Sequence, residues 1–507
     1  MGPQTGMCAS TGSNNIGFGF QVLSLANLTG DNNIALGHYT GRRIATGAGN
    51  IFLGSGAGRY VLGGCCNVAI GINASYCLSG GHCNVAIGVH AGSRQTASDN
   101  NTSIGHQAGS QNCTGSGNVA VGHSAGYGIR GANNVSIGVT AGPANSCINT
   151  YDNIFIGRRS GYALTSGCFN VGIGYLAGSS TCAATGSYNI AFGYCSGKAV
   201  TSGDNVIAIG CRAGRYNTTG RCNIYLGTHA GGVNTSGGDN ILIGNHAGGQ
   251  FGGSFSGTIA IGCCAGGGYG GGSAGDAIFI GRCAGRYANV SDSQNIAIGN
   301  GAGKCITNGL NIIMGSGAMT LATTACANLG LGGQVLQQNL TGDRNVALGA
   351  FALAGNTTGS CNVAIGHCSG SQTTGASGSH NFMGGYKSGN ALTSGSKNIF
   401  LGCDAAACKA VTGDRNVVIG QCAGHFITCG FNNVFIGAEA ARTYCNGHDN
   451  VSIGASTGPA SGNSNIIFGT NTADTMTGDN NIVMGEFASK KCAMSGDHNI
   501  VMGSCAA

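Results

Sequence analysis

Residues 67–71 read Asn67-Val68-Ala69-Ile70-Gly71, and the next unit of the chain reads Asn84-Val85-Ala86-Ile87-Gly88. The same five-residue core recurs throughout: Asn, a β-branched residue, a small or apolar residue, an apolar residue, Gly. Asn33-Ile34-Ala35-Leu36-Gly37 and Asn362-Val363-Ala364-Ile365-Gly366 are further copies. Anchored on its closing Gly, the core occurs 29 times from Gly19 to Gly503, with a mean spacing near 17.3 residues. Asn stands four before the anchor in 26 of the 29 copies, and Val206, Thr258 and Ala277 are the departures. The residue just before the anchor is apolar everywhere except at Gly384. Two variable residues follow the anchor, then Ala or another small residue, then usually Gly, as in Gly54-Ser55-Gly56-Ala57-Gly58. The rest of the unit is rich in Thr, Ser, Gly and Asn and often ends Thr-Gly-Asp, as at Thr29-Gly30-Asp31 and Thr412-Gly413-Asp414.

This period decides the fold class. Seventeen residues are too few for a helical-hairpin repeat and suit one coil of a solenoid. The short apolar core reads as a strand. An all-β, parallel β-solenoid (β-roll) of about 29 coils of roughly 17 residues is therefore expected, as one continuous domain over 1–507 without clear caps or linkers. At about 4.8 Å per coil, the coils predict a rod of roughly 140 Å.

Within each coil, the Asn is expected to stack on its counterpart in the next. Side-chain amides in register form a hydrogen-bonded ladder. Asn33, Asn50, Asn67, Asn84, Asn118, Asn223, Asn362 and Asn416 are its representatives. Gly37, Gly54, Gly71, Gly88, Gly227 and Gly366 are the turn glycines, placed where a Cβ would clash. Alternation along the strand is expected to send its first and third residues inward and its second to the opposite face. That second residue is apolar in nearly every copy, with Ser103, Ser136 and Ser452 as polar exceptions. Both faces therefore read as buried, which predicts a partner chain, with a homotrimer around a shared axis preferred. The repeat also begins close to Met1 and ends close to Ala507, so bare solenoid ends are expected to stack head to tail.

Composition supports a repeat structure. The chain has 507 residues with 100 Gly, only three Pro and only 7% charged residues. Low Pro and no Gly at every third position exclude collagen, and 42% hydrophobic content is too high for a disordered linker. The net charge of +6 is spread without a Lys/Arg run, so no nucleic-acid partner is expected. No apolar run reaches the 18 or so residues of a membrane span, so no membrane insertion is expected. The N-terminus shows no secretory signal pattern.

The 26 cysteines form no C-x-x-C pair, which speaks against zinc ribbons and thioredoxin-like chemistry. Several share a register: Cys66 with Cys83, Cys264 with Cys283, and nearly so Cys403 with Cys422. Equivalent positions one coil apart fall within disulfide reach, so these pairs are candidate inter-coil disulfides. The alternative is that Cys replaces Ala as a small buried hydrophobe. Histidines gather just after the anchor, among them His90, His106, His123, His229, His246 and His367. They read as tenants of a variable turn position, and neither a metal site nor a cofactor is expected. No paired carboxylates or nucleophile triad stand out, so the chain is not expected to be an enzyme.

The unit Asn-Val-Ala-Ile-Gly-x-x-Ala-Gly resembles the head repeats of trimeric autotransporter adhesins. It is still more similar to the Gly/Asn/Thr-rich repeats of phage tail fibres and of fibre-like proteins of large DNA viruses. The resemblance covers nearly the whole chain through a short motif and implies a parallel β-roll, commonly trimeric, in a fibre, spike or adhesin. Unlike the bacterial adhesins, this sequence shows no signal peptide, coiled-coil stalk or membrane barrel, and its cysteine content is unusual for them. A structural fibre on a virion or extracellular filament surface is the leading expectation. A receptor- or glycan-binding adhesin fibre is the first alternative, with Arg42, Arg43, Tyr60, Arg158, Arg159 and Tyr216 as candidate contact residues. An ice-binding solenoid is the second, although Thr forms no regular Thr-x-Thr row.

Overall fold

A computed structural model describes residues 11–506 except 25–26, 144–148, 181–182, 250–253, 255, 268–274, 289–293, 372–374, 444–445, 459–460, 474–475 and 490–493. The chain divides into two compact units, Met1–Gly249 with Gly253–Phe255, and Gln250–Gly252 with Ser256–Ala507. The first carries strands β1 (Ile16–Phe18) to β14 (Ile241–Ile243), and the second β15 (Ile259–Ile261) to β29 (Ile500–Met502). Each strand is three residues long and ends just before an anchor Gly. Within each unit, successive strands pair in parallel with equivalent residues opposite one another, as in Val68↔Val85 and Val417↔Val434. Each unit is thus a parallel β-solenoid with one strand per coil and no helix among the described residues.

The ladder extends well beyond the strands. The Gly56 amide donates to the His38 carbonyl at 2.8 Å, that of Gly58 to Ala74 at 2.9 Å, and that of Tyr60 to Tyr76 at 3.0 Å. The Gly63 amide donates to Ser79 at 2.9 Å and that of Cys66 to Ala48 at 2.9 Å. Most turn residues therefore satisfy their backbone on the coil above or below, which a chain so poor in long strands requires.

Coil closure depends on left-handed residues. The second residue after the anchor has φ near +55°, as at His90 (59°) and Gln107 (57°), and so has the Gly two further on, as at Gly92 (53°). Between them an Ala amide turns back to the anchor carbonyl, as Ala91 does to Gly88 at 3.3 Å. This turn folds the chain over the strand's middle residue and corrects the orientation expected from alternation. The middle residue faces the coil interior, buried in every strand except the half-buried β1 and β29. The first and third residues face outward.

The core is narrow. A typical coil fills it with the middle strand residue, the Ala after the anchor, the ladder Asn, and a buried residue seven after the anchor such as Val61, Leu78 or Ile129. Volumes compensate within a coil. A Cβ on Gly58 would stand 2.6 Å from the Phe52 ring, and one on Gly161 2.5 Å from Phe155. Conversely, where the middle residue is Gly330 the residue at the glycine position is Leu336, and beside Ala347 it is Leu353; both leucines are buried.

A third left-handed site immediately precedes the ladder Asn. Asn100, Asn133 and Asp152 suit it, but Cys222 (φ 55°) and Phe169 (φ 57°) also occupy it. A side chain other than Asn, Asp or Gly costs about 1 kcal/mol there. Cys222 is exposed, so Cys222→Asn is expected to raise stability by up to about 1 kcal/mol, read as a higher urea midpoint.

Candidate functional site

Within each unit the Asn residues form a rail inside the coils, interrupted where another residue takes the position. Asn50 Nδ2 donates to Asn33 Oδ1 at 2.9 Å and to the Gly64 carbonyl at 2.8 Å. Its own Oδ1 accepts the Asn67 amide at 2.9 Å and Asn67 Nδ2 at 3.0 Å. Asn84 repeats the pattern on Asn67, and Asn416 repeats it on Asn398. Asn33 reaches Asn15, and the backbone amides of Asn118 and Asn362 donate to Asn101 and Asn345. Asn223 bonds the Gly237 carbonyl and accepts from Asn240. All eight are buried. At Val206, where the side-chain link is missing, the backbone amide still reaches Asn189 Oδ1 at 2.9 Å.

The Thr-, Ser-, Gly- and Asp-rich end of the unit is a second set of rungs, which the sequence presents only as a turn. Thr201 and Thr218 hydroxyls donate to the carbonyls of Thr218 and Thr235 in the following coil. The Gly carbonyl accepts the ladder amide of the preceding coil, as Gly47 does from Asn33. The Asp carboxylate accepts a preceding-coil amide, as Asp99 does from His82 and Asp343 from Cys326.

Coil spacing dictates the anchor glycines. At Gly37, Gly54, Gly71, Gly88 and Gly227 a Cβ would stand 2.6–2.7 Å from the next anchor's carbonyl oxygen, and at Gly366 it would meet that of Gly385. Their φ values run from +124° to +134°.

The cysteines lie mostly at the coil surface and not in the core. No disulfide joins the 21 among the described residues, which include Cys66, Cys83, Cys264, Cys283, Cys403 and Cys422. Only Cys195 of these is buried, so the thiols are not Ala substitutes in the core. Ten have φ between 52° and 59°, Cys66, Cys83, Cys264, Cys283 and Cys422 among them. Neighbouring coils place some cysteine backbones side by side: the Cys422 amide donates to the Cys403 carbonyl at 2.9 Å. Burial and the adjacent Cys263 raise the Cys264 thiol above its usual pKa, with a smaller contribution from Cys283.

Two surfaces are available to partners. The first is the outward strand strip. In the first unit its first-position residues are Ile or Val except Thr102, and its third-position residues are Ile, Leu, Val or Phe. In the second unit only Gly384 interrupts the apolar columns, and neither unit places a charge there. Large side chains remain partly open, with Ile104 38% and Ile137 36% exposed. Fourteen strands at about 4.8 Å spacing give the first unit a strip roughly 67 Å long and on the order of 10 Å wide. That is roughly 700 Å², above the few hundred Å² that monomers ordinarily leave exposed.

The second surface is a file of cations on aromatic rings in the turns. Arg42 lies over Tyr39 at 5.1 Å, Arg43 over Tyr60 at 5.3 Å and Arg158 over Tyr175 at 5.7 Å. Arg159 lies over Tyr162 at 5.4 Å and Arg215 over Tyr216 at 5.0 Å. Rings also stack between coils, as in His106–His123 and Tyr175–Tyr194. Sequence reading singled out several of these residues but not their pairing, which needs the coil register. Among the described residues no three His, Cys, Asp or Glu side chains converge to hold a metal ion.

No known family model matches the chain, and no curated protein matches it. What defines it is its fold: a parallel β-solenoid of about 17-residue coils, with an internal amide ladder and an outward apolar strip.

Proposed function

We propose that this protein is a structural fibre component that assembles side by side with copies of itself through the outward strand strip. The observation that carries this reading is the strip itself, uncharged throughout and apolar except at Thr102 and Gly384. Covering the open third of one such Ile contributes about 1–2 kcal/mol. A dozen coils acting together would exceed the ~4–15 kcal/mol cost of association. The strip's repeat equals the coil rise, so a second solenoid of the same rise seats its side chains between these at every coil. A roughly 700 Å² strip approaches the ~800 Å² per partner of a standard interface. A homotrimer remains the preferred assembly, now with the first and third strand residues at the shared interface. The resemblance to viral and adhesin fibre repeats supports a place on a virion or extracellular filament.

Sedimentation velocity tests this directly. The intact chain is expected to sediment as an oligomer at micromolar concentration. Ile104→Lys with Ile137→Lys is expected to shift it to monomer without changing its circular dichroism, because both side chains already touch water. A monomeric parent protein would overturn the proposal. The threonine hydroxyls argue against an ice-ordering surface, since those of Thr201 and Thr218 are engaged along the solenoid axis. The Arg/Tyr file favours ligand binding as a second role.

A further inference from the structure

In the first unit, the fifth residue after successive anchors runs Arg59, Tyr76, Ser93, Ser110, Tyr127. The two serines sit between aromatic residues and leave a slot. Their hydroxyls bond each other at 2.9 Å and form its floor. The resulting groove has a volume of about 490 Å³ and is also lined by Asn73, His90, Arg94, Gln107 and Gln111. From Tyr76 to Tyr127 it spans three coil steps, about 14 Å. Its ends are held in place. Arg59 Nη1 donates to the Tyr76 hydroxyl at 3.3 Å while its guanidinium lies over Tyr39 at 4.8 Å. Gln111 Nε2 donates to the Tyr127 hydroxyl.

The charge in this slot is unbalanced. Arg59 and Arg94 bring two guanidiniums and no carboxylate lines the groove. Neither takes part in the ion pairs found among the described residues. Arg59 Nε is buried without a hydrogen-bond partner, and Arg94 is exposed. The remaining polar groups are hydroxyls and amides, which both donate and accept.

We propose that this groove binds an acidic oligosaccharide. The tyrosine rings offer apolar platforms for sugar faces. The serines, Asn73, Gln107 and Gln111 match sugar hydroxyls, and the guanidiniums take a carboxylate or sulfate in charge-assisted, two-pronged hydrogen bonds. The charge density favours a glycan over a nucleic-acid strand. A strand carries one phosphate per about 3.4 Å, far more than two arginines can neutralise over the length of the slot. The groove is built from turn residues, none of them on the strand strip, so it is independent of the proposed assembly.

Isothermal titration of the full chain with tetragalacturonate and with a sulfated uronate–glucosamine tetrasaccharide tests the proposal. At least one is expected to bind, while the methyl-esterified, uncharged tetragalacturonate binds at least about tenfold more weakly. Arg94→Gln, at an exposed position, is expected to weaken binding by about tenfold. Ser93→Tyr is expected to abolish it by filling the slot, with circular dichroism unchanged. Failure of both acidic sugars to bind would overturn the assignment, as would binding indifferent to both substitutions. Tighter binding of an oligothymidylate than of either sugar would also overturn it. None of these outcomes alters the sedimentation test of assembly.

Discussion

Asn67→Leu is expected to cost about 4 kcal/mol or more, although Leu nearly matches Asn in volume. Asn67 is fully buried. Its amide nitrogen serves Asn50 Oδ1 and the Gly81 carbonyl, and its oxygen serves the backbone amide and Nδ2 of Asn84. Leu strands partners on both sides at once, and each buried group left unsatisfied costs about 1–3 kcal/mol. Because repeat stability is mainly a sum of nearest-neighbour terms, the damage should be local. Hydrogen exchange at the Asn84 amide, which loses its Asn67 Oδ1 acceptor, is expected to accelerate strongly while coils farther away keep their protection. A loss below about 1 kcal/mol in urea unfolding would mean that the rail is dispensable.

Gly71→Ala is the second large effect, expected at about 3 kcal/mol or more from a single methyl group. The backbone there has φ +131°, and the new Cβ would lie 2.6 Å from the Gly88 carbonyl oxygen. Gly88 cannot retreat freely, because its amide is bonded to the Ile70 carbonyl at 2.8 Å and the same tight spacing continues on its far side, where a Cβ on Gly88 would itself stand 2.6 Å from the Gly105 carbonyl oxygen. Gly80→Ala provides the internal comparison. No atom lies within 4 Å of its would-be Cβ, and it has no left-handed φ. Thermal melts should separate the two alanine variants by many degrees. Equal melting temperatures would show that coil spacing is softer than the geometry implies.

How much of this was legible in the sequence depends on which signal each feature leaves. Asn67 and Gly71 were visible because only one residue type satisfies four hydrogen bonds there, or tolerates that backbone. Strand position was visible for the same reason of register. The inward face was not. Both Val68 and Ala69 are apolar, and alternation alone cannot say which side the turn will cover. What decides it is the left-handed conformation of residues such as His90 and Gln107, neither of which announces a positive φ. Ala at the middle position suits the narrow interior, while Ile and Val suit the open strip, a size distinction available in the repeat. The pairing of Phe52 with Gly58, and of Gly330 with Leu336, was likewise present in the sequence. It becomes meaningful only once the two positions are known to touch. The exposure of the thiols was not legible, because Cys66 and Cys264 occupy turn corners, where the repeat shows register but not burial.

The hydrogen bonds that run from turn to turn, such as Gly58 to Ala74 and Tyr60 to Tyr76, also have a mechanical consequence. Within a coil these bonds bear an axial pull together, so none can be broken singly by tension along the axis. Successive coils bear it in series, so the weakest junction yields first. A released coil of about 17 residues pays out roughly 50 Å of extended chain in exchange for one 4.8 Å step. Such a material is stiff until a threshold and then lengthens by discrete increments, dissipating load coil by coil instead of snapping.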